Sequence, residues 1–335
     1  MPRPRKHQIS LDATPFYFCT SRCVRRAFLC GHDPLTGRSY EHRRHRIEHD
    51  LLRLASVFFI DVVAFSVMSN HYHLVAHVDR QRCIVADAKD IVIRWHQLFK
   101  PKNVTLKFLD GLPLEQHERN QVDTLVDTWR ARLYDLSWFM KVLNENIARS
   151  ANKEDSCTGH FWECRYRSQA LLDEKAVLSA MAYTDLNPIR AAMAETPESS
   201  EYTSIKLRID YWKKRASQND TQSGNLPQPK SLYPFAGNYR QPMPRGLAFN
   251  LTDYLELVDW TGRGIRDDKP GAISESASPI LQRLNIAPTH WIELTTSFES
   301  RFKGIVGSVD SVKKLCSHFG LKRTSNRRNS TLLYS

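Results

Sequence analysis

The sequence predicts an α+β fold, with an antiparallel central sheet of ferredoxin-like type flanked by helices. Three observations carry this expectation. Two apolar runs rich in Val, Phe and Ile, 57–67 and 71–78, meet at the tight turn Met68-Ser69-Asn70 and read as a hairpin. Ile84, Ala88, Ile91, Trp95 and Leu98 keep helical spacing over 83–99, as do Leu133, Leu136, Met140, Leu143 and Ile147 further on. Strands and helices then mix along the chain without an internal repeat.

In order, a first strand is expected over 14–24, with Arg22, Arg25 and Arg26 at its end. A helix rich in Arg and His follows over 40–56. The hairpin and the two amphipathic helices come next, separated by a polar, irregular insertion at 100–128. Residues 159–171 alternate and read as a strand. Asp173 is placed to cap a helix running to Leu186, because its carboxylate can accept from the first free backbone N–H groups. Residues 213–246 change character. A polar run gives way to prolines at 227, 229, 234, 242 and 244, the composition of a linker or an extended wrap. Beyond it, helices are expected at 250–261, 278–298 and 308–319. The division is therefore a first domain over 1–212, a linker over 213–246 and a small helical, basic domain over 247–335.

The chain has 335 residues and a formal charge of +12, enough length for one large or two ordinary cores. The charge sits at the ends. Residues 1–50 carry net +5, and 299–335 carry net +6, ending in the tail Lys322-Arg323-Thr324-Ser325-Asn326-Arg327-Arg328. Basic ends suit a polyanion such as nucleic acid, and they also suit a plain solvated surface. Seven cysteines without any Cys-x-x-Cys pair argue against structural zinc and for reduced thiols in the cytosol. No apolar leader follows Met1. The longest apolar run, 51–68, is broken by Arg53 and Asp61, so neither secretion nor a membrane span is expected.

The chemistry concentrates in two places. His71 and His73 flank Tyr72 on the second hairpin strand. Residues i and i+2 of a strand share a face, so both imidazoles can converge on one cation. The same pattern also arises as simple polar alternation. His77 shares that face but lies roughly 13 Å along it, too far to join. The second place is Tyr183-Thr184-Asp185-Leu186-Asn187-Pro188. Residues four apart on a helix are neighbours, so a phenol and an amide oxygen can address one point. Beside a metal this suggests phosphoryl transfer with tyrosine as nucleophile. By itself Tyr183 reads as a half-buried helix residue and Asn-Pro as a helix stop; the histidine pair is what tips the reading. Ala176, Ser179 and Ala180 are small and would leave room beside Tyr183 for a bulky substrate.

Taken together, four stretches resemble a family. They are Ser21-Arg22-Cys23-Val24-Arg25-Arg26, Val67 through Leu74, Gly159-His160-Phe161-Trp162-Glu163-Cys164-Arg165-Tyr166, and Ala182 through Arg190. In that order, over roughly the first 210 residues, the chain resembles the HUH-type single-tyrosine transposases, specifically the REP-associated tyrosine transposases of bacteria. The resemblance implies an HUH nuclease fold with the histidines at the sheet centre and the tyrosine on a nearby helix. It implies a transposase acting as a single-stranded DNA endonuclease and strand transferase on hairpin-forming repeats. Tyr183 would form the 5′-phosphotyrosyl link, and His71, His73 and Asn187 would hold Mg²⁺ or Mn²⁺. DNA contacts would fall to Arg22, Arg25, Arg26, Trp162 and Arg165. The expected setting is the cytoplasm, at the nucleoid, as a monomer or homodimer.

A rival is a domesticated, non-catalytic protein that binds repeat hairpins, which would need neither histidine nor Tyr183. An RNA-binding ferredoxin-like module is weaker, since it would carry exposed aromatics on its strands where this chain has histidines.

Overall fold

The structure is a computed structural model that describes residues 9–24, 29–33, 37–216, 227–265, 279–318 and 326–334. Arg25 and Arg26, and Lys322 and Arg323 of the basic tail, lie outside the described residues.

The chain begins with β1 (Phe16–Arg22), α1 (His42–Val57), β2 (Ile60–Val67) and β3 (His71–Val78). Ile47, Leu51 and Leu54 form the buried stripe of α1. Five short and long helices come after β3: α2 (Arg80–Val85), α3 (Ala88–His96), α4 (Asn103–Leu109), α5 (Gln116–Leu133) and α6 (Leu136–Glu154). The expected irregular insertion at 100–128 is therefore mostly helical. Val122, Val126, Trp129 and Leu133 give α5 a narrow apolar stripe, and a reciprocal capping box between Glu115 and Glu118 starts it. The strand expected over 159–171 shrinks to β4 (Arg167–Leu171). Upstream of it only an isolated bridge joins Trp162 to Cys23.

Next come α7 (Glu174–Asp185), α8 (Asn187–Arg190) and α9 (Ser204–Ala216). Asp173 caps α7 as expected, accepting from Ala176 N at 3.0 Å. The remaining elements are α10 (Leu251–Gly264), α11 (Pro279–Arg283), α12 (Pro288–Arg301), β5 (Ile305–Val306), α13 (Val309–His318) and α14 (Arg327–Leu333). Where one helix was expected over 278–298 there are two. Pro288 restarts the chain at the first turn of α12, the helical position where its missing N–H costs nothing. Among the described residues no helix is long and apolar enough to cross a membrane.

The five strands form one sheet in the order β2-β3-β1-β4-β5. All neighbours are antiparallel except β4 and β5, which run parallel. The fold is α+β, a five-stranded sheet flanked by helices. Side chains alternate between two faces. On the first face Tyr17, Cys19, Tyr72 and Leu74 pack under α1, α3, α5 and α6. On the second, Phe18, Val63 and Val75 pack under α7, α10 and α12.

That second face draws buried residues from both sides of the boundary expected between two domains and a linker. The sheet face is apolar and α7 covers only part of it. Trp291, Leu294 and Phe298 of α12 supply the rest and are wholly buried, while β5 extends the sheet itself. Residues 213–216 belong to α9. After the undescribed stretch 217–226, Leu232, Tyr233 and Phe235 insert into the core between the prolines. The backbone of β2 is engaged along this side. Tyr233 N donates to Val62 O at 2.7 Å, and Val67 N donates to Tyr202 O at 3.1 Å. Ser204 Oγ accepts from Phe65 N at 2.9 Å, and Arg208 donates to Val63 O at 3.0 Å. A register shift between Val62 and Ala64 marks the strand there.

Candidate functional site

β3 is an interior strand, and its alternation turns His71, His73 and Val75 to the second face. The two imidazoles meet with Nε2 to Nε2 at 3.0 Å. Their outer nitrogens are held. His71 Nδ1 lies 2.6 Å from Asn70 Oδ1 in the hairpin turn, and His73 Nδ1 lies 3.2 Å from Thr20 Oγ1, opposite it on β1. An amide oxygen only accepts, so His71 Nδ1 carries the hydrogen and its Nε2 presents a lone pair. Thr20 can favour the same tautomer in His73.

Burial first, then Arg22 and Arg190, lower the pKa of His71 to about 4. His73 is wholly buried, and desolvation, then His71, then the two arginines hold it well below the usual histidine range. Both rings are therefore neutral at pH 7. With neutral rings, His73 Nε2–H can donate to the His71 Nε2 lone pair while Thr20 donates to His73 Nδ1. In the other His73 tautomer two lone pairs face each other, and the pair can then hold a cation between them. Two nitrogens each about 2.1 Å from one metal, at an angle of about 90°, lie about 3.0 Å apart. Among the described residues no group of three or more His, Cys, Asp or Glu converges on a metal position. The chain thus offers this pair, with further ligands left to amides or to a bound phosphate.

Tyr183, near the end of α7, stands edge-on to His73 with ring centroids 5.5 Å apart. Phe18 stacks on His73 at 5.3 Å and meets Tyr183 edge-on at 5.9 Å, so one aromatic ring sets the spacing of both. Arg190 lies over the Tyr183 ring at 3.8 Å. It is fixed by Thr296 O at 2.8 Å, Asn187 Oδ1 at 2.8 Å and Tyr183 O at 3.3 Å. Burial raises the phenol pKa of Tyr183, and Arg190 is the main opposing influence.

The structure thus brings together His71, His73 and Tyr183, and adds Arg190, to which the sequence reading gave no role. Its signal was present, since Arg190 closes the Asn187-Pro188-Ile189-Arg190 stretch. Asn187 opens α8 but directs its Oδ1 to Arg190, and its Nδ2 is buried without a partner among the described residues. Arg22 is exposed at the end of β1, opposite His71. Trp162 does not join the site. Its ring packs edge-on to Tyr72 at 5.9 Å on the opposite face, with Nε1 donating to Asn144 O at 2.9 Å. Arg165 is exposed before β4. His77 pairs with Asp61 at 3.0 Å and stacks on Tyr233 at 4.4 Å, apart from the His71–His73 pair. The open path expected along Ala176, Ser179 and Ala180 is closed. All three are wholly buried, where α12 packs on α7 and the Tyr334 carbonyl is held by Lys175.

No protein-family model matches the chain. No curated protein matches it. A solved structure described as a REP-associated tyrosine transposase bound to a REP hairpin aligns over 70% of this chain and 99% of that chain, at 11% identity and a TM-score of 0.37. The functional reading rests on the residues of the site and not on that likeness.

Proposed function

We propose that the chain is a DNA nicking and joining enzyme of the HUH single-tyrosine type, using Tyr183 as nucleophile. The observation that carries this reading is the convergence of two neutral, outward-braced imidazoles with a tyrosine and an arginine on one face of an interior strand. The strand order β2-β3-β1-β4, antiparallel throughout, supports the ferredoxin-like sheet such a site requires.

The substrate is single-stranded DNA, as in a hairpin-forming repeat. Tyr183 Oη bonds to phosphorus as the bond to the 3′ oxygen breaks. The phenolic proton leaves with that departing oxygen, giving a 5′-phosphotyrosyl link and a free 3′-hydroxyl. Arg190 steadies the phenolate as it forms, since a guanidinium beside it opposes the effect of burial. Arg22, beside His71, is placed to hold a phosphate. Mg²⁺ or Mn²⁺ held by His71 and His73 would withdraw charge from the phosphate and align it. Because the phosphoester energy stays in the tyrosyl link, a second strand's 3′-hydroxyl can reverse the step and join DNA.

One observation favours a second reading, a non-catalytic binder of repeat hairpins. Tyr183 is only 8% exposed, with Phe298 of α12 packed against it at 5.8 Å. Incubation with labelled single-stranded hairpin DNA and Mn²⁺ separates the two. A denaturant-stable protein–DNA adduct that Tyr183→Phe abolishes supports the enzyme, and tight binding with no adduct supports the binder.

A further inference from the structure

On the sheet face opposite His73, helices α3, α5 and α6 leave a groove of ≈ 580 Å³, within the size range of small-ligand sites of about 300–1,000 Å³. Its floor is aromatic. Trp95 and Trp129, both buried, stack at 5.3 Å with planes 10° apart, and Phe99 and Trp138, edge-on to each other at 6.5 Å, lie against Trp95. Phe99 is 39% exposed, an unusual position for a ring of that size. The rim is cationic: Lys100, Lys102, Arg132 and Lys141 against a single carboxylate, Glu145. Glu145 is itself paired with Arg149. None of the four cations has a carboxylate partner among the described residues. Arg132 and Lys141 lie over the Trp138 ring, at 4.4 and 4.7 Å.

A purely apolar partner would leave four positive charges uncompensated, and a simple anion would leave the aromatic floor unused. A planar base joined to a phosphate satisfies both, because bases stack on aromatic faces irrespective of sequence while lysines and arginines track the backbone. We infer that this groove binds an unpaired nucleotide of the DNA strand, as a second contact point remote from Tyr183. It takes its polymer from the proposed function, but not its readout. Binding is measured on full-length Tyr183→Phe protein, so a chain that never cuts DNA still reports on the groove.

The probe is a single-stranded oligodeoxythymidine carrying 5-iodouracil, cross-linked by light and mapped by mass spectrometry. Cross-links at Phe99 or Trp138 are expected. The exposed pair Lys100→Ala with Lys141→Ala, the second of which also gives up its place over the Trp138 ring, should shallow the log–log salt dependence of binding by about 0.7 for each phosphate lost. Trp138→Leu should weaken binding by about fivefold to about a hundredfold, the range for loss of one stacked base. Circular dichroism checks that each variant stays folded. Cross-links confined to the His71–Tyr183 face, or unchanged affinity and salt slope in the lysine pair, would overturn the inference. A mononucleotide that competes as well as the oligonucleotide does would also overturn it, since the site would then recognise a free metabolite.

Discussion

Replacing Phe298 with alanine tests whether the C-terminal helices belong to the same core as the sheet. Phe298 is wholly buried and touches three rings: Phe18 edge-on at 5.5 Å, Tyr183 at 5.8 Å and Phe302 at 5.5 Å. Truncating a core Phe to Ala costs about 3–5 kcal/mol, through lost transfer energy and the cavity left behind. The edge-on contact with Phe18 adds about 0.5–1.5 kcal/mol beyond burial, so the upper part of that range, about 4–5 kcal/mol, is expected here. Urea unfolding followed by tryptophan fluorescence measures it as a lower midpoint with an unchanged slope. Phe298→Leu keeps most of the volume and should recover more than half of the loss. A cost below about 1 kcal/mol, or a separate early transition for the C-terminal part, would refute the continuous core and restore the two-domain division. The same reasoning predicts that a fragment ending at residue 212 misfolds, because Phe18, Val63 and Tyr183 lose their cover.

Tyr183→Phe should abolish the covalent adduct while DNA affinity stays within about twofold; gel shift and adduct gels run side by side decide it. His71→Ala should remove Mn²⁺ binding measured by calorimetry in the absence of DNA, and binding equal to the parent's would end the metal reading. Glu48 gives a pH signature. Burial first, and Glu201 second, raise its pKa from 4.5 to about 7. Folding therefore favours the protonated acid, and this contribution is complete below pH 4.5 and lost as pH rises through 7. Glu48→Gln should flatten the stability profile over that window and gain on the order of 2 kcal/mol on the parent above pH 7. Parallel profiles in a pH series of urea melts would contradict the assignment.

The parts of the site that could be read from the sequence are those written in local periodicity. The 71–78 strand places His71 and His73 on one face by alternation alone, and Asp173 announces the helix that carries Tyr183. Helix α5 escaped because its apolar residues are a thin stripe in a polar run, and capping by Glu115 and Glu118 resembles ordinary surface charge. Residues 159–166 alternate without forming a strand, since only Trp162 finds a bridge partner. The packing of Phe298 on Tyr183, 115 positions earlier, and of Tyr233 on Val62 leaves no local trace. The prolines around Tyr233 carried the stronger compositional signal, and it pointed to a linker. Arg190 comes seven residues after Tyr183, two turns on and so on the same helical face, but the intervening Asn187-Pro188 reads as a helix stop and hid that relation.

The bonds made by β2 bear on how copies of this chain can meet. An edge strand normally displays a free ladder of N–H and C=O groups that invites another strand. Here Val63 O, Phe65 N and Val67 N are already spoken for by Arg208, Ser204 and Tyr202, and Val62 O by Tyr233. The opposite margin is β5, two residues long. Both rims of the sheet are therefore blunted against edge-to-edge growth, which protects the chain from β-aggregation. Along Val62–Val67, a second copy of the chain finds these backbone groups already taken and has no free ladder there to continue.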